Sequence, residues 1–196
     1  MAHAPANVAR EPHAVPPMNG VDDILAFWFD PAAQGKWFRP DAAFDALIRS
    51  RFLGRHEEAR AGALASWAGD SDGAMAIVLL LDQFPRNMFR GQARAFATDA
   101  MALGAADAAI ARDFDLAQAV ERRIFFYLPF MHAEDLAAQR RCVDLIANRG
   151  GGDTTWAVKH LQIIERFGRF PHRNAVLGRP SSPEEVAFLK QPGSSF

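Results

Sequence analysis

Cysteine is almost missing from these 196 residues, Cys142 being the one example. No intrachain disulfide can form, and no thiolate set is available for a metal. Cys142 falls in a helical stretch and reads as a small buried hydrophobe. An excess of positive charge is also missing: 22 Lys and Arg stand against 23 Asp and Glu, for a net charge of −1. The chain therefore lacks the cations that neutralise a phosphodiester backbone, and no nucleic-acid partner is expected. Long apolar runs are absent. The longest aliphatic stretch, residues 76–81, is far shorter than the ~20 residues that cross a bilayer. Residues 1–20 hold Pro5, Pro12, Pro16 and Pro17 with scattered charge and no apolar segment, the pattern of neither a leader nor an anchor. The expectation is a soluble, cytoplasmic protein with no membrane partner. Enzyme signatures are missing too. No Gly-x-Ser-x-Gly elbow occurs, and the Gly150, Gly151, Gly152 run is not followed by the Lys-Ser/Thr of a phosphate loop. Nothing calls for a cofactor.

What is present is helical patterning. Hydrophobic residues make up 49% of the chain and charged residues 23%, with 16 Phe and 4 Trp, so a sizeable and largely aromatic core is expected. No segment alternates as a half-buried strand does. Residues 1–20 read as a disordered Pro-rich tail and residues 21–196 as a single helical domain. Asp22 or Asp23 is expected to cap a helix over residues 21–29. Asp41 caps a longer one, in which Phe44, Leu47, Ile48 and Phe52 share a face. Residues 64–67 form a further turn. A helix opened by Ser71 or Asp72 is apolar nearly all round and hence central; Pro85 is expected to end it. Others follow over residues 96–112, from Asp115 to 128 before Pro129, over 132–148, and from Asp153 to 168. Ser182, Pro183 and Glu185 form a capping box with proline at the first helical position. Connections are short, so neighbours run antiparallel, and the fold class is all-α, built of antiparallel helical hairpins.

Three turns share a pattern. Asp82-Gln83-Phe84-Pro85-Arg86-Asn87 and Arg169-Phe170-Pro171-His172-Arg173-Asn174 each follow an apolar helix with Phe-Pro and then present Arg-Asn. Leu128-Pro129-Phe130-Met131-His132 leads to Glu134 and Asp135. The three turns close the first, third and fifth of five successive helices. In an antiparallel array they therefore meet at one end, provided that no further helix crosses the bundle within residues 88–95. The candidate site gathers Asp82, Arg86, Asn87, Arg169, Arg173 and Asn174 as ligand-binding residues and His132, His172 and Glu134 as catalytic ones. Arg offers a donor fork matched to carboxylate or phosphate, and His exchanges protons near neutral pH. A helix starting at His132 would add a positive dipole end. The chemistry points to a small anionic molecule as partner. Each residue also has a purely structural reading, as a charge complementing a helix end or as a brace in a turn. A metal site from His132, Glu134 and either His160 or His172 is the weaker alternative, and none is assigned. His160 shares a side with Ile163, Ile164 and Phe167 and reads as a core histidine. Trp28, Trp37 and Phe38 either line a pocket or pack the core.

These motifs, together with Phe27-Trp28-Phe29, Lys36-Trp37-Phe38 and Phe96-Ala97-Thr98-Asp99, resemble the bacterial domain-of-unknown-function family 924 over about residues 21–189. Ala133 departs from the pattern, in which Ser is expected. The resemblance implies a tetratricopeptide-like helical array and no established activity. Three functions remain open: a binding protein for a small anion, a hydrolase-type enzyme using His132 or His172 as general acid–base with Glu134 or Asp82 orienting it, and a scaffold for a protein partner not identified by the sequence.

Overall fold

A computed structural model describes residues 20–194, so the tail expected before Gly20 lies outside the described residues. It contains α1 (Val21–Trp28), α2 (Pro31–Gln34), α3 (Ala42–Arg60), α4 (Ser71–Val78), α5 (Phe84–Met88), α6 (Asp99–Ile110), α7 (Val120–His132), α8 (Leu136–Arg149), α9 (Thr155–Phe167) and α10 (Pro183–Phe188). None of the described residues forms a strand, and the class is all-α.

Local chemistry sets most of the boundaries. The Asp41 carboxylate accepts the Phe44 N–H at 2.9 Å, as expected of an N-cap. The Ser182 hydroxyl accepts the Glu185 N–H at 3.1 Å, and Glu185 accepts the Ser182 N–H at 2.7 Å, completing the expected capping box. Other starts differ from expectation by a residue or more. Gly20 precedes α1, and Asp23 accepts the Gly20 N–H from inside the first turn. Asp70, rather than Ser71 or Asp72, caps α4 through the Gly73 N–H at 2.8 Å. α4 can approach the preceding 3₁₀ turn, Ala65–Gly69, because residue 73 is glycine: a Cβ there would stand 1.9 Å from the Trp67 carbonyl oxygen.

Asp115 corrects a larger expectation. It opens no helix; α7 begins at Val120. Asp115 is fully buried and accepts the Tyr127 hydroxyl at 2.7 Å, with Arg149 at 3.2 Å. Burial and this hydrogen bond to the carboxylate hold the Tyr127 phenol well above its ordinary value.

The two interior prolines do not stop their helices. α4 and α5 are continuous through a π-type turn, Leu79–Gln83, in which the Phe84 N–H reaches back five residues to the Leu79 carbonyl. That register frees the Leu80 carbonyl, and Pro85 has no N–H to offer Leu81. Both carbonyls find side chains instead. His56 Nδ1 donates to Leu80 O (2.9 Å), and the Thr98 hydroxyl donates to Leu81 O (2.6 Å). α7 likewise runs past Pro129 to His132. Phe130 and Met131 beyond the proline are buried, and Gln139 donates to the terminal carbonyls of Met131 (2.6 Å) and Ala133 (2.8 Å).

The core is aromatic. Trp28, Phe52, Phe84, Phe89, Phe125, Phe126 and Tyr127 are fully buried, and the Trp28 ring lies 5.4 Å from Phe84 and 5.7 Å from Phe125. α4 packs on α6, α6 on α7, α7 on α8 and α8 on α9. Between α5 and α6 there is one short 3₁₀ turn, Ala93–Phe96, and no crossing helix. The count of five successive helices therefore holds, and the ends of the first, third and fifth face one another. Cys142 is buried, and burial pushes its thiol up to about 12, which leaves it unreactive. Among the described residues no helix is long and apolar enough to cross a membrane.

Candidate functional site

The π-type turn delivers the first functional group. Asp82 sits in its widened backbone with a carboxylate that is fully buried. Gln83 donates to Asp82 Oδ2 at 2.6 Å, and Oδ1 meets His132 Nδ1 at 2.7 Å and Arg86 Nη2 at 3.4 Å. Burial acts to raise the Asp82 carboxyl; the charge of Arg86 and the hydrogen bonds from His132 and Gln83 outweigh it and hold the group far below the usual carboxylate range. His132 is lowered by burial and then by Arg86, against the opposing pull of Asp82 and Asp99. At neutral pH the pair is an aspartate and a neutral imidazole. The bond to Asp82 assigns the ring proton to Nδ1 and leaves Nε2 as the acceptor nitrogen.

His132 stands at the C-terminal end of α7, not at the start of the following helix, which begins at Leu136 with Asp135 as its cap. The dipole argument for an anion at His132 is thereby removed. Positive charge comes from side chains instead. Arg86 donates to the Asp82 carbonyl (2.9 Å) and makes a two-pronged pair with Asp99 (3.0 and 3.2 Å). Arg173, in the 3₁₀ turn Pro171–Arg173, donates from Nη1 to Asp99 Oδ2 at 3.2 Å. Its guanidinium lies over the rings of Phe96 and Phe170, with 4.6 Å to each centroid. Arg173 is 6% exposed, and among the described residues its Nε–H has no hydrogen-bond partner. Burial and the charge of Arg86 push it down to about 10.

Arg86, Arg173, His132 and His172 share one cavity of about 660 Å³. Asp82 and Asp99 do not line it; they stand behind the cations. Asn87 and Arg90 are on the wall, both bonded to Asp45 (2.8 and 2.7 Å). Asp153, at the opening, accepts the Thr155 N–H at the start of α9. Much of the rest of the lining is apolar, with Trp37, Phe38, Ile124, Leu128 and Trp156. His172 is pushed down to about 4 by burial and then by Arg173. His160 also lines the cavity; its Nδ1 bonds the Trp156 carbonyl at 2.8 Å, and burial pushes it down to about 3.

Besides Asp82, three of the predicted residues lie away from the wall. Glu134 takes the Arg179 fork at 2.6 and 2.9 Å and the Phe170 N–H at 2.8 Å, so it anchors the turn that carries Arg173. Arg169 is paired with Glu185 at 2.7 and 2.8 Å. Asn174 is buried between Arg179 and Ser181. Asp99, Gln83 and Phe96 are site residues that the pattern did not single out. Asp99 had a signal: it follows Thr98 in the quoted Phe-Ala-Thr-Asp motif. No three His, Cys, Asp or Glu side chains among the described residues are arranged to hold a metal ion.

A family model described as "Bacterial protein of unknown function (DUF924)" matches residues 24–193. The chain belongs to this family. The DUF924 assignment covers every element of the cavity. A solved structure, described as a protein of unknown function from Agrobacterium tumefaciens, is 48% identical; the match covers 87% of this chain and 96% of that one with a TM-score of 0.83. No curated protein matches the chain significantly.

Proposed function

We propose that the cavity binds a small anionic ligand, a phosphate or a carboxylate, between Arg86 and Arg173, with His132 and His172 beside it. One observation carries this reading: a buried guanidinium against two aromatic rings has a donor that none of the described residues meets, and a second cation shares its Asp99 partner. An anion relieves the repulsion between Arg86 and Arg173 and receives charge-assisted hydrogen bonds in a low-dielectric site. The test is thermal denaturation of the wild type and of Arg173→Met with inorganic phosphate and acetate. An anion at 100 times its Kd stabilises by about 2.7 kcal/mol. The expected result is a rise in Tm for the wild type and none for a folded Arg173→Met. No response of the wild type to either anion or to their alkyl derivatives overturns the reading.

The 2.7 Å contact of His132 with a buried Asp82 favours a second reading, hydrolysis at the same place. His132 Nε2 takes a proton from water, whose oxygen bonds to the acyl carbon or phosphorus. The leaving alkoxide then recovers that proton from the imidazolium. With p-nitrophenyl acetate and phosphate as probes, His132→Gln is expected to lower turnover about 10²- to 10⁴-fold. Equal rates in wild type and variant end this reading and leave binding alone.

A further inference from the structure

We infer that the anion taken by this cavity is an amphiphile: its carboxylate or phosphate sits at the arginines, and a hydrocarbon chain or ring runs along the apolar side chains of the same cavity. The inference rests on the anion-binding reading above and adds the class of ligand.

Three observations lead to it. The first is size. A cavity of about 660 Å³ holds the volume of about twenty water molecules, several times what an inorganic phosphate or acetate displaces. It falls within the range of sites that enclose whole organic ligands, about 300–1,000 Å³. The second is polarity. Arg86 comes from α5 just after the π-type turn, His132 from the end of α7, and His172 and Arg173 from the Pro171–Arg173 turn. Much of the remaining lining is apolar, with Trp37, Phe38, Ile124, Leu128, Ile146 and Trp156. A bare anion would leave those side chains facing trapped water, which is unfavourable in proportion to their apolar area. The third is exposure. Phe38 is 68% exposed and Trp156 58% exposed, and both line the same cavity. Large aromatic side chains held in water beside a charged pocket mark a surface that a ligand body covers. Arg86 and Arg173 both lie over the Phe96 ring (5.7 and 4.6 Å), and that ring is itself part of the apolar lining, so cations and carbon surface adjoin within the cavity.

The experiment is a chain-length series on the full wild-type chain, followed by calorimetry below the micellar range of each probe. Acetate is compared with octanoate, inorganic phosphate with hexyl phosphate, and 1-octanol serves as the neutral control. Each buried methylene contributes about three- to fourfold in affinity, so octanoate or hexyl phosphate is expected to bind at least about 100-fold tighter than its headgroup alone. Trp156→Ser, an exposed position, is expected to reduce that gain, and Arg173→Met to bring octanoate down to the affinity of 1-octanol. If the alkyl probes bind no tighter than acetate and phosphate, the amphiphile inference is overturned and the anion reading stands. If 1-octanol binds as tightly as octanoate, the anion reading itself fails. The wild-type series decides both points even if Arg173→Met does not fold. The preferred headgroup is read from octanoate against hexyl phosphate.

Discussion

Asp82→Ala is expected to lower the unfolding free energy by about 3–5 kcal/mol, the usual loss when one partner of a buried ionic network is removed. The carboxylate is fully buried and holds Gln83, His132 and Arg86 together. Its removal leaves the Arg86 charge with Asp99 alone and strips His132 Nδ1 of its acceptor. For a chain of this size about 2–4 °C of Tm accompanies each kcal/mol, so a fall of about 6–20 °C is expected in calorimetry. Asp82→Asn keeps an acceptor for His132 and lacks the charge and the oxygen that accepts from Gln83, so its loss is expected to be smaller than that of Asp82→Ala. A change below about 1 kcal/mol in Asp82→Ala would mean that the network is not a stabilising element.

Mild acid is expected to weaken the fold before any carboxylate titrates. His160 and His172 are pushed down to about 3 and about 4, against about 6.5 in an unfolded chain. Below about pH 6.5 the unfolded state therefore binds protons that the folded state refuses, and stability declines as pH falls. Their contribution is complete above that pH and is lost progressively down to their folded values. His132 and His56 are displaced in the same direction, also by burial first. Glu134 and Glu185 are held low by Arg179 and Arg169, so their contribution is lost only as pH falls through the ordinary carboxylate range. At about pH 5 a loss of about 2–4 kcal/mol relative to neutral pH is expected from the two cavity histidines. Urea unfolding at the two pH values measures it. His160→Gln should flatten the slope, and an unchanged midpoint between them would contradict the assignment of buried neutral imidazoles.

The order of helices was readable because caps and apolar spacing act over three or four residues. Asp41, Ser182 and Glu185 satisfy backbone donors next to them, and no distant part of the chain alters that. The shared end of the three Phe-Pro and Leu-Pro turns followed from counting helices, so His132 and Arg173 could be placed with Asp82 before any geometry was known. What escaped notice depends on partners far along the chain. Pro85 looks like a stop because the donors that replace its missing N–H, Thr98 and His56, lie 13 residues after and 29 residues before it. Asp115 looks like a cap because Tyr127 and Arg149, which bury it, are not its neighbours. Glu134 and Arg169 carry the right chemistry for the cavity, yet Arg179 and Glu185 claim them from a segment that holds no apolar pattern strong enough to position it.

The widened turn at Leu79–Gln83 is also a register device. An α-helix advances about 100° per residue, and the π turn holds one residue more than an α turn would. Deleting one codon there would turn the widened loop back into an ordinary α turn, with the helix on either side keeping its phase and the residues of the turn itself changing place. The loss would fall on alignment rather than on helicity: the acid would swing away from the imidazole at position 132, while circular dichroism would scarcely change.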